Sequence, residues 1–483
     1  MKNLIIDYTP FCTRVALVED GELIEFSVER SSGKGIVGNV YKGRVENVIC
    51  GMQASFVNIG QERNGFLFTG DEDGDPKPVA SKKRKVSPGD VIMCQAVKEP
   101  YAQKGARLTT DIALPGFFLV LMPTTDFIGV SRKIENPQRR DYLEKTARTL
   151  LPEGMGCIIR SAAEKTSDEN IKNELDVLLE RWEKIKADYA RAGETELVFE
   201  EASMFERALR DTFGEDVQRI VVNDEGIAKR LEKKFEGLKC EVYSGKRNIM
   251  SHFGVASQIN HICDRKVYID GGAYIVIDRT EALTVIDVNT GGYIGTSHLE
   301  DTVFKTNLMA AKCIAKQLRL RNISGIVVID FIDMQLDEHK QQVIATLRSA
   351  LKNDRLKTST VGMTPLGLVE LTRKKSRLPL DDFMLEPCPN GCGLRVSDSQ
   401  LAFLLRDDLE EYVCQNDCDE VYVRANPDTI DVVLESHILL PKACNEWKNK
   451  RIYFVADNAA DREKWFFSDK KSDGKAEYLR VLA

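Results

Sequence analysis

The sequence predicts a multidomain protein of mixed class, part α/β and part α+β. Three observations carry that reading. At 483 residues the chain is longer than one hydrophobic core usually accommodates. Residues 36–110 offer five short strands separated by turn residues, the pattern of a small barrel, with an OB-fold the leading candidate. Residues 271–334 read strand–loop–helix–strand, which places two parallel strands side by side.

The elements follow in order. "NLIIDY", "RVALVED" and "ELIEFSVE" are strands, with Asp20-Gly21 as a hairpin turn. "GNVYKGRVENVICGMQASFVNIGQERNGFLF" gives three strands, broken at Cys50-Gly51 and at "GQERNG". The polar, proline-containing stretch 71–90 reads as an exposed loop before the strands "VIMCQAVKE" and "ARLTTDIAL". "GFFLVLMP" and "GCIIRSAA" are further strands. From Ser167, apolar residues Ile171, Leu175, Leu178, Trp182, Ile185 and Tyr189 recur at helical spacing, a stripe suited to packing on a neighbouring helix. Residues 204–244 alternate helix, strand, helix, strand. Beyond the hairpin and glycine-rich loop of "GGAYIVIDRTEALTVIDVNTGGYIG", Ser297 and Glu300 form a capping box for a helix that ends before Gly325. From Leu401 onward, the helix "LAFLLRDDLEEYV" and the strands "EVYVRAN" and "RIYFVAD" make a small separate α/β domain.

Hydrophobic residues make up 43% and charged residues 30%, an ordinary soluble balance. No apolar run approaches the roughly 18–20 residues that span a bilayer. "MKNLIIDYTP" is too short and too weakly basic for a secretory signal. The twelve cysteines are scattered, which suits reduced thiols, and the expected location is the cytoplasm. A net charge of −7 argues against a uniformly basic nucleic-acid binder. Basic residues do cluster at Lys82–Lys85, at Lys316, Arg319 and Arg321, and at Arg373, Lys374, Lys375 and Arg377.

The chemistry concentrates in residues 283–334. Asp287 ends the strand "LTVID", Asn289 shares its face two residues on, and Asp330 ends "IVVID". On parallel neighbours the three meet at the carboxyl edge of a sheet, where α/β proteins bind ligands. Two adjacent carboxylates repel, and a hard divalent cation such as Mg²⁺ relieves that and can activate water. Each aspartate alone also suits an ordinary strand end. Asp333 would face away on a continued strand and is secondary. "NTGGYIG" resembles a phosphate cradle but lacks the lysine of a nucleotide P-loop, which disfavours a nucleotide-binding enzyme.

Other signals are softer. Phe56 and Phe66, with Lys42, Arg44, Lys98 and Lys104 on or near the same strands, could stack and hold a single nucleic-acid strand, or the two rings could be barrel core. Arg160 and Ser161 end "CIIRS" and offer a guanidinium beside a hydroxyl for a terminal phosphate. Cys388 and Cys392 in "CPNGCG" supply half of a tetrahedral Zn²⁺ site, to be completed by a second subunit or by Cys414 and Cys418, or else are inert thiols.

Three segments, "RTEALTVIDVNTGGYIG", "NLMAAKCIAKQLRLRNISGIVVIDFIDM" and "GLVELTRKKSR", closely resemble the ribonuclease E/G family, and its G-type members more than its E-type members. The likeness runs to about residue 395, and the chain lacks a long disordered tail, as G-type members do. The resemblance implies a metal-dependent endoribonuclease acting on single-stranded RNA in rRNA maturation and mRNA decay. Its metal-binding aspartates match Asp287 and Asp330, and its supporting asparagine matches Asn289. Its RNA-contacting residues match Phe56, Phe66 and Lys104. Its 5′-monophosphate pocket matches Arg160 and Ser161, with Gly116 and Val120 nearby.

The resemblance also implies the layout. An RNase H-like fold spans 1–35 and 201–270, split around an S1-type OB barrel at 36–110 and a 5′-sensor region at 111–200. A deoxyribonuclease-I-like subdomain at 271–382 carries the metal, a zinc-link segment lies at 383–396, and a small C-terminal domain at 397–483. Mg²⁺ is the implied cofactor, with Zn²⁺ through the cysteines, and a homodimer or higher homo-oligomer the implied assembly. The family's Cys-Pro-x-Cys is Cys-Pro-Asn-Gly-Cys here, and the inserted residue changes how the loop closes, so the zinc-linked dimer does not carry over directly. The alternative function is a non-catalytic S1-type RNA-binding scaffold.

Overall fold

A computed structural model describes residues 2–30, 35–69, 86–100, 104–202, 204–212, 217–234, 238–292, 299–352, 354–375, 378–391, 393–416, 418–436, 438–439, 450–470 and 478–481. The chain forms two compact units, one of residues 33–217 and one of residues 1–32 with 218–483.

In the first unit, strands Val40–Ile49, Ala54–Asn58, Gly65–Phe68, Arg107–Thr109 and Val91–Lys98 pair in that order, and the last closes on the first. The result is a closed five-stranded barrel, with Glu196–Phe199 paired onto Val40–Lys42 as a sixth, outer strand. Its interior holds Tyr41, Val45, Val57, Ile59, Leu67, Cys94, Ala96 and Leu108. The Lys82–Lys85 cluster lies outside the described residues.

Beside the barrel strands in sequence, Ile128–Val130, Gly156–Ile159, Leu119–Met122 and Leu114–Pro115 form a second, four-stranded sheet. The helix Asp168–Arg191 starts at Ser167, whose side chain accepts from the Asn170 amide. Its stripe is buried from Ile171 to Ile185 but not at Tyr189, and it packs chiefly against strands Leu119–Met122 and Glu196–Phe199, with Leu143 and Ala147 of another helix in the same cluster. A further helix, Pro137–Leu150, escapes the periodicity because only Leu143 and Ala147 are buried on it. Its signal is the Asn136-Pro137 start, where Asn136 accepts from the Gln138 and Arg139 amides.

In the second unit, strands 2–8, 12–19 and 22–30 form a meander extended by Val217–Val222 and Glu241–Val242. Asp20 and Gly21 both have positive φ (51° and 85°), as a tight hairpin turn of this kind requires. The C-terminal residues build a four-stranded sheet in which Trp465–Ser468 and Tyr478–Val481 flank the two foreseen strands.

The largest sheet of this unit runs Lys266–Tyr268, Tyr274–Arg279, Leu283–Asn289, Gly325–Asp330, Leu368–Arg373, Thr358–Met363. Only Leu283–Asn289 and Gly325–Asp330 are parallel, and the crossover helix Leu299–Leu320 joins them. That helix and Asp337–Leu351 bury one face, made by Ile275, Ile277, Ile286, Val288, Val327, Ile329, Val369 and Leu371. The opposite face is exposed at Ile326, Asp287 and Asp330.

Each of two foreseen basic clusters contains a buried, structural arginine, while Lys374 and Lys375 are exposed. Arg321 is buried and donates to Gln317 and to the Asp264 carbonyl, while Lys316 and Arg319 pair with Glu22 and Glu25. Arg373 is buried with Asp354 at 2.7 Å and also donates to Asn322 and the Ile323 carbonyl. Arg377 lies outside the described residues. The sequence shows charge but not burial, and a buried arginine of this kind needs its carboxylate. Asp354→Ala is expected to cost about 3–5 kcal/mol of stability, read as a lowered unfolding midpoint. Asp278→Ala, which breaks only the exposed pair with Arg265, is expected to leave the midpoint nearly unchanged.

Candidate carboxylate centre and nucleic-acid surfaces

Asp287 and Asp330 are register partners on the two parallel strands, so both side chains leave the same face of the sheet. Asn289, two residues along, donates from Nδ2 to Asp287 Oδ2 at 2.7 Å. All three lie opposite the face covered by the helices. Partial desolvation and the charges of Asp287 and then Asp333 push the Asp330 carboxyl above its usual range.

Asp333 thus belongs to the electrostatics of the centre. The strand ends at Asp330, so alternation no longer decides where Asp333 points. The loop after Asp330 is clamped by the crossover helix. Buried Asn307 donates to the Ile332 carbonyl at 2.7 Å and accepts from the Ile332 amide at 3.1 Å. Glu300 accepts from the Gln335 and Leu336 amides at 3.1 and 3.3 Å and meets His339 at 3.0 Å. His339 in turn stacks on Phe304 at 4.0 Å between centroids. Ser297, the other half of the expected capping box, lies outside the described residues, as do Tyr293, Ile294 and Gly295 of the glycine-rich loop. Within that loop Gly291 has φ +57°, and a Cβ there would stand 2.1 Å from the Gly272 carbonyl oxygen.

Among the described residues no three His, Cys, Asp or Glu side chains gather around a metal position. Two carboxylates with a flanking amide still fit a hard cation that keeps most of its waters. Asp330 is raised by partial desolvation and then by the charge of Asp287, and a bound cation would relieve the repulsion between the two.

On the barrel, Phe56 and Phe66 are directly paired across strands with ring centroids 6.0 Å apart in an edge-to-face arrangement. Neither belongs to the barrel core, which overturns the core reading of the two rings. The same outward row continues through Asn47, Arg107 and Lys98. Arg107 was not foreseen; its signal is the register of a three-residue strand. Lys104 is exposed three residues before it. Lys42 turns elsewhere, donating to the Tyr189 and Ala192 carbonyls, and Arg44 pairs with Glu194.

In the second sheet of that unit, Arg160 Nη1 donates to the Gly116 carbonyl at 2.9 Å, and the Arg160 amide donates to Phe118 O at 2.8 Å. Ser161 is exposed at the start of a short 3₁₀ turn. Val120 pairs with Ile158 one strand away. Glu174 was not foreseen. Its carboxylate accepts from the amides of Phe117, Phe118 and Leu119 at 2.5, 2.7 and 3.0 Å. A Cβ on Gly116 would stand 2.5 Å from the Glu174 carboxyl carbon, so the approach needs glycine. No sequence pattern announces a carboxylate held by backbone amides 55 to 57 residues away. Cys388 accepts at its carbonyl from the Gly391 amide and donates from its own amide to Gly393 O, a tight loop; Cys392 lies outside the described residues. The Cys414 thiol donates to the Lys246 carbonyl.

These features define a mixed α/β protein with a carboxylate pair on an open sheet face and an aromatic–cationic row on a separate closed barrel. Residues 113–376 match the model of the Ribonuclease E/G family. Ribonuclease G of Haemophilus influenzae is 38% identical over 461 residues, covering 91% of this chain and 94% of that protein. Ribonuclease G of Escherichia coli K12 is 37% identical over 457 residues, covering 90% and 94%. Ribonuclease E of a Nostoc species is 37% identical over 377 residues, covering 75% of this chain and 54% of its own length. The chain belongs to the ribonuclease E/G family, a family of endoribonucleases. Among the described residues no helix is long and apolar enough to cross a membrane.

Burial raises the Glu174 carboxyl above the ordinary glutamate range, against the opposing pull of the three amides and Arg160. A group whose folded-state pKa is raised gives stability that is greatest in acid and is lost as pH rises through the raised value. Glu174→Gln cannot titrate and is expected to flatten that part of the profile. Thermal unfolding of both proteins across roughly pH 4–7 checks this; parallel profiles would contradict it.

Proposed function

We propose that this chain is a Mg²⁺-dependent endoribonuclease that cuts single-stranded RNA at Asp287 and Asp330. The observation that carries the proposal is the parallel register of the two aspartates on an open sheet face. Asn289 holds one oxygen of Asp287 and so orients that carboxylate. When bound there, Mg²⁺ supplies a water activated for attack on a phosphodiester and polarises a phosphoryl oxygen. The products, by family resemblance, carry a 3′-hydroxyl and a 5′-phosphate.

The layout proposed from the resemblance is RNase H-like for 1–35 and 201–270, S1-type OB for 36–110, a 5′-sensor for 111–200 and deoxyribonuclease-I-like for 271–382. The closed barrel and its outward Phe56–Phe66–Arg107 row support the OB reading, because stacking aromatics among cations suit a sequence-tolerant hold on single strands. The Arg160–Gly116 bond supports a 5′-monophosphate pocket with Ser161 and Val120, beside which the Glu174 carboxyl accepts from the Phe118 amide. Action in rRNA maturation and mRNA decay, a cytoplasmic location and a homo-oligomer complete the proposal. The zinc link at 383–396 rests on Cys388 and Cys392 and is the part with least support.

Two outcomes are expected. On a short 5′-monophosphorylated, A/U-rich RNA in Mg²⁺, wild type cleaves while Asp330→Asn loses about a thousandfold in rate, since a metal centre contributes several kcal/mol, and still binds RNA. Binding without cleavage by either protein would instead favour a scaffold. Phe56→Ala is expected to weaken single-stranded RNA binding by about 1–3 kcal/mol, the worth of one stacked base, measured by fluorescence anisotropy.

A further inference from the structure

The open face that carries the carboxylates carries an aromatic pair as well. Strand register sets Tyr268 opposite Tyr274, and Tyr274 opposite Asn289. The next rung of the same face runs Lys266, Val276, Asp287, Asp330. Alternate residues on a strand lie roughly 6.8 Å apart and neighbouring strands about 4.8 Å apart, so Tyr274 lies diagonally beside Asp287, about 8 Å away, and Tyr268 one strand further out.

The two rings do not serve the core. Val267 and Ile269, which alternate with Tyr268, pack on the helix-covered side, whereas Tyr268 is 69% exposed. The rings stand 6.1 Å apart at 59°, with Lys266 Nζ 3.6 Å from the Tyr274 centroid and 4.8 Å from that of Tyr268. The nearby Arg265 and Asp278 neutralise each other. Lys266 therefore leaves the edge of this face cationic while Asp287 and Asp330 make its centre acidic.

We propose that Tyr268, Tyr274 and Lys266 form a stacking subsite for a base of the RNA strand next to the phosphodiester cut at Asp287 and Asp330. This rests on the endoribonuclease reading above. The exposed Tyr268 and the half-buried Tyr274 present aromatic surface that accepts any base, and the lysine over them adds charge for the phosphate chain. Because the subsite shares a sheet face with the carboxylates, binding a base there positions the adjacent phosphate rather than merely retaining the strand.

The test uses the full chain and a 5′-monophosphorylated, A/U-rich RNA carrying 2-aminopurine beside the mapped cut. In the Asp330→Asn background the fluorophore is expected to be quenched on binding, and Tyr268→Ala with Tyr274→Ala to remove the quench. In the active chain the same pair is expected to lower kcat/KM about tenfold or more, with kcat falling as well as KM rising because the adjacent phosphate is no longer positioned, and Tyr268→Phe and Tyr274→Phe close to wild type. Retained quenching and kcat/KM in the double alanine variant, with wild type still cleaving and Asp330→Asn inactive, would overturn the subsite and leave the endoribonuclease reading intact. Wild type that fails to cleave would overturn both. A change in sedimentation of the double variant, with kcat/KM unaltered, would assign the face to a second copy of the chain and overturn the subsite.

Discussion

Two like charges held side by side at the end of parallel strands are the constraint on which the rest of this molecule turns. A parallel pair cannot be joined by a tight turn; it needs a crossover, and here the crossover is the helix Leu299–Leu320. That helix covers the sheet's apolar face and leaves the acidic face open. It also reaches past the strand end, where Asn307 and Glu300 grip the backbone from Ile332 to Leu336. The segment that joins Asp330 to Asp333 is thereby held to the same helix that dictates the strand pairing.

The surroundings resist relaxation of that arrangement. On one side Asn289 ties down Asp287, and Gly291 packs so closely on Gly272 that position 291 admits no side chain. On the other, buried Arg373 ties Leu368–Arg373, the antiparallel neighbour of the Asp330 strand, to Asp354 and to the Ile323 carbonyl. The carboxylates are thus backed by neutral hydrogen bonds and one remote ion pair. Asp330 keeps a raised pKa because partial desolvation, and after it the charges of Asp287 and Asp333, disfavour its ionised form.

Much of this could be read before any coordinates, where local rules suffice. Alternation put Asp287 and Asn289 on one face, the strand–helix–strand order made their strand parallel to that of Asp330, and Asp20-Gly21 announced its own turn. Reading failed where the deciding partner is distant in sequence. Arg321 and Arg373 looked like a basic surface because charge is visible in sequence and burial is not. Glu174 carries no signal of its role in the sequence, since its three backbone donors leave no pattern. Asp333 was set aside by extending alternation past the strand end. Phe56 and Phe66 were ambiguous because barrel aromatics face in or out with a single step of register.

The central claim is that Asp287 and Asp330 together hold a divalent cation. Titration of the full chain with Mn²⁺, a paramagnetic substitute for Mg²⁺, followed by electron paramagnetic resonance, reads that directly without RNA or turnover. The account predicts one site per chain in wild type that is lost in both Asp287→Asn and Asp330→Asn. Wild-type binding that survives in either variant would contradict it.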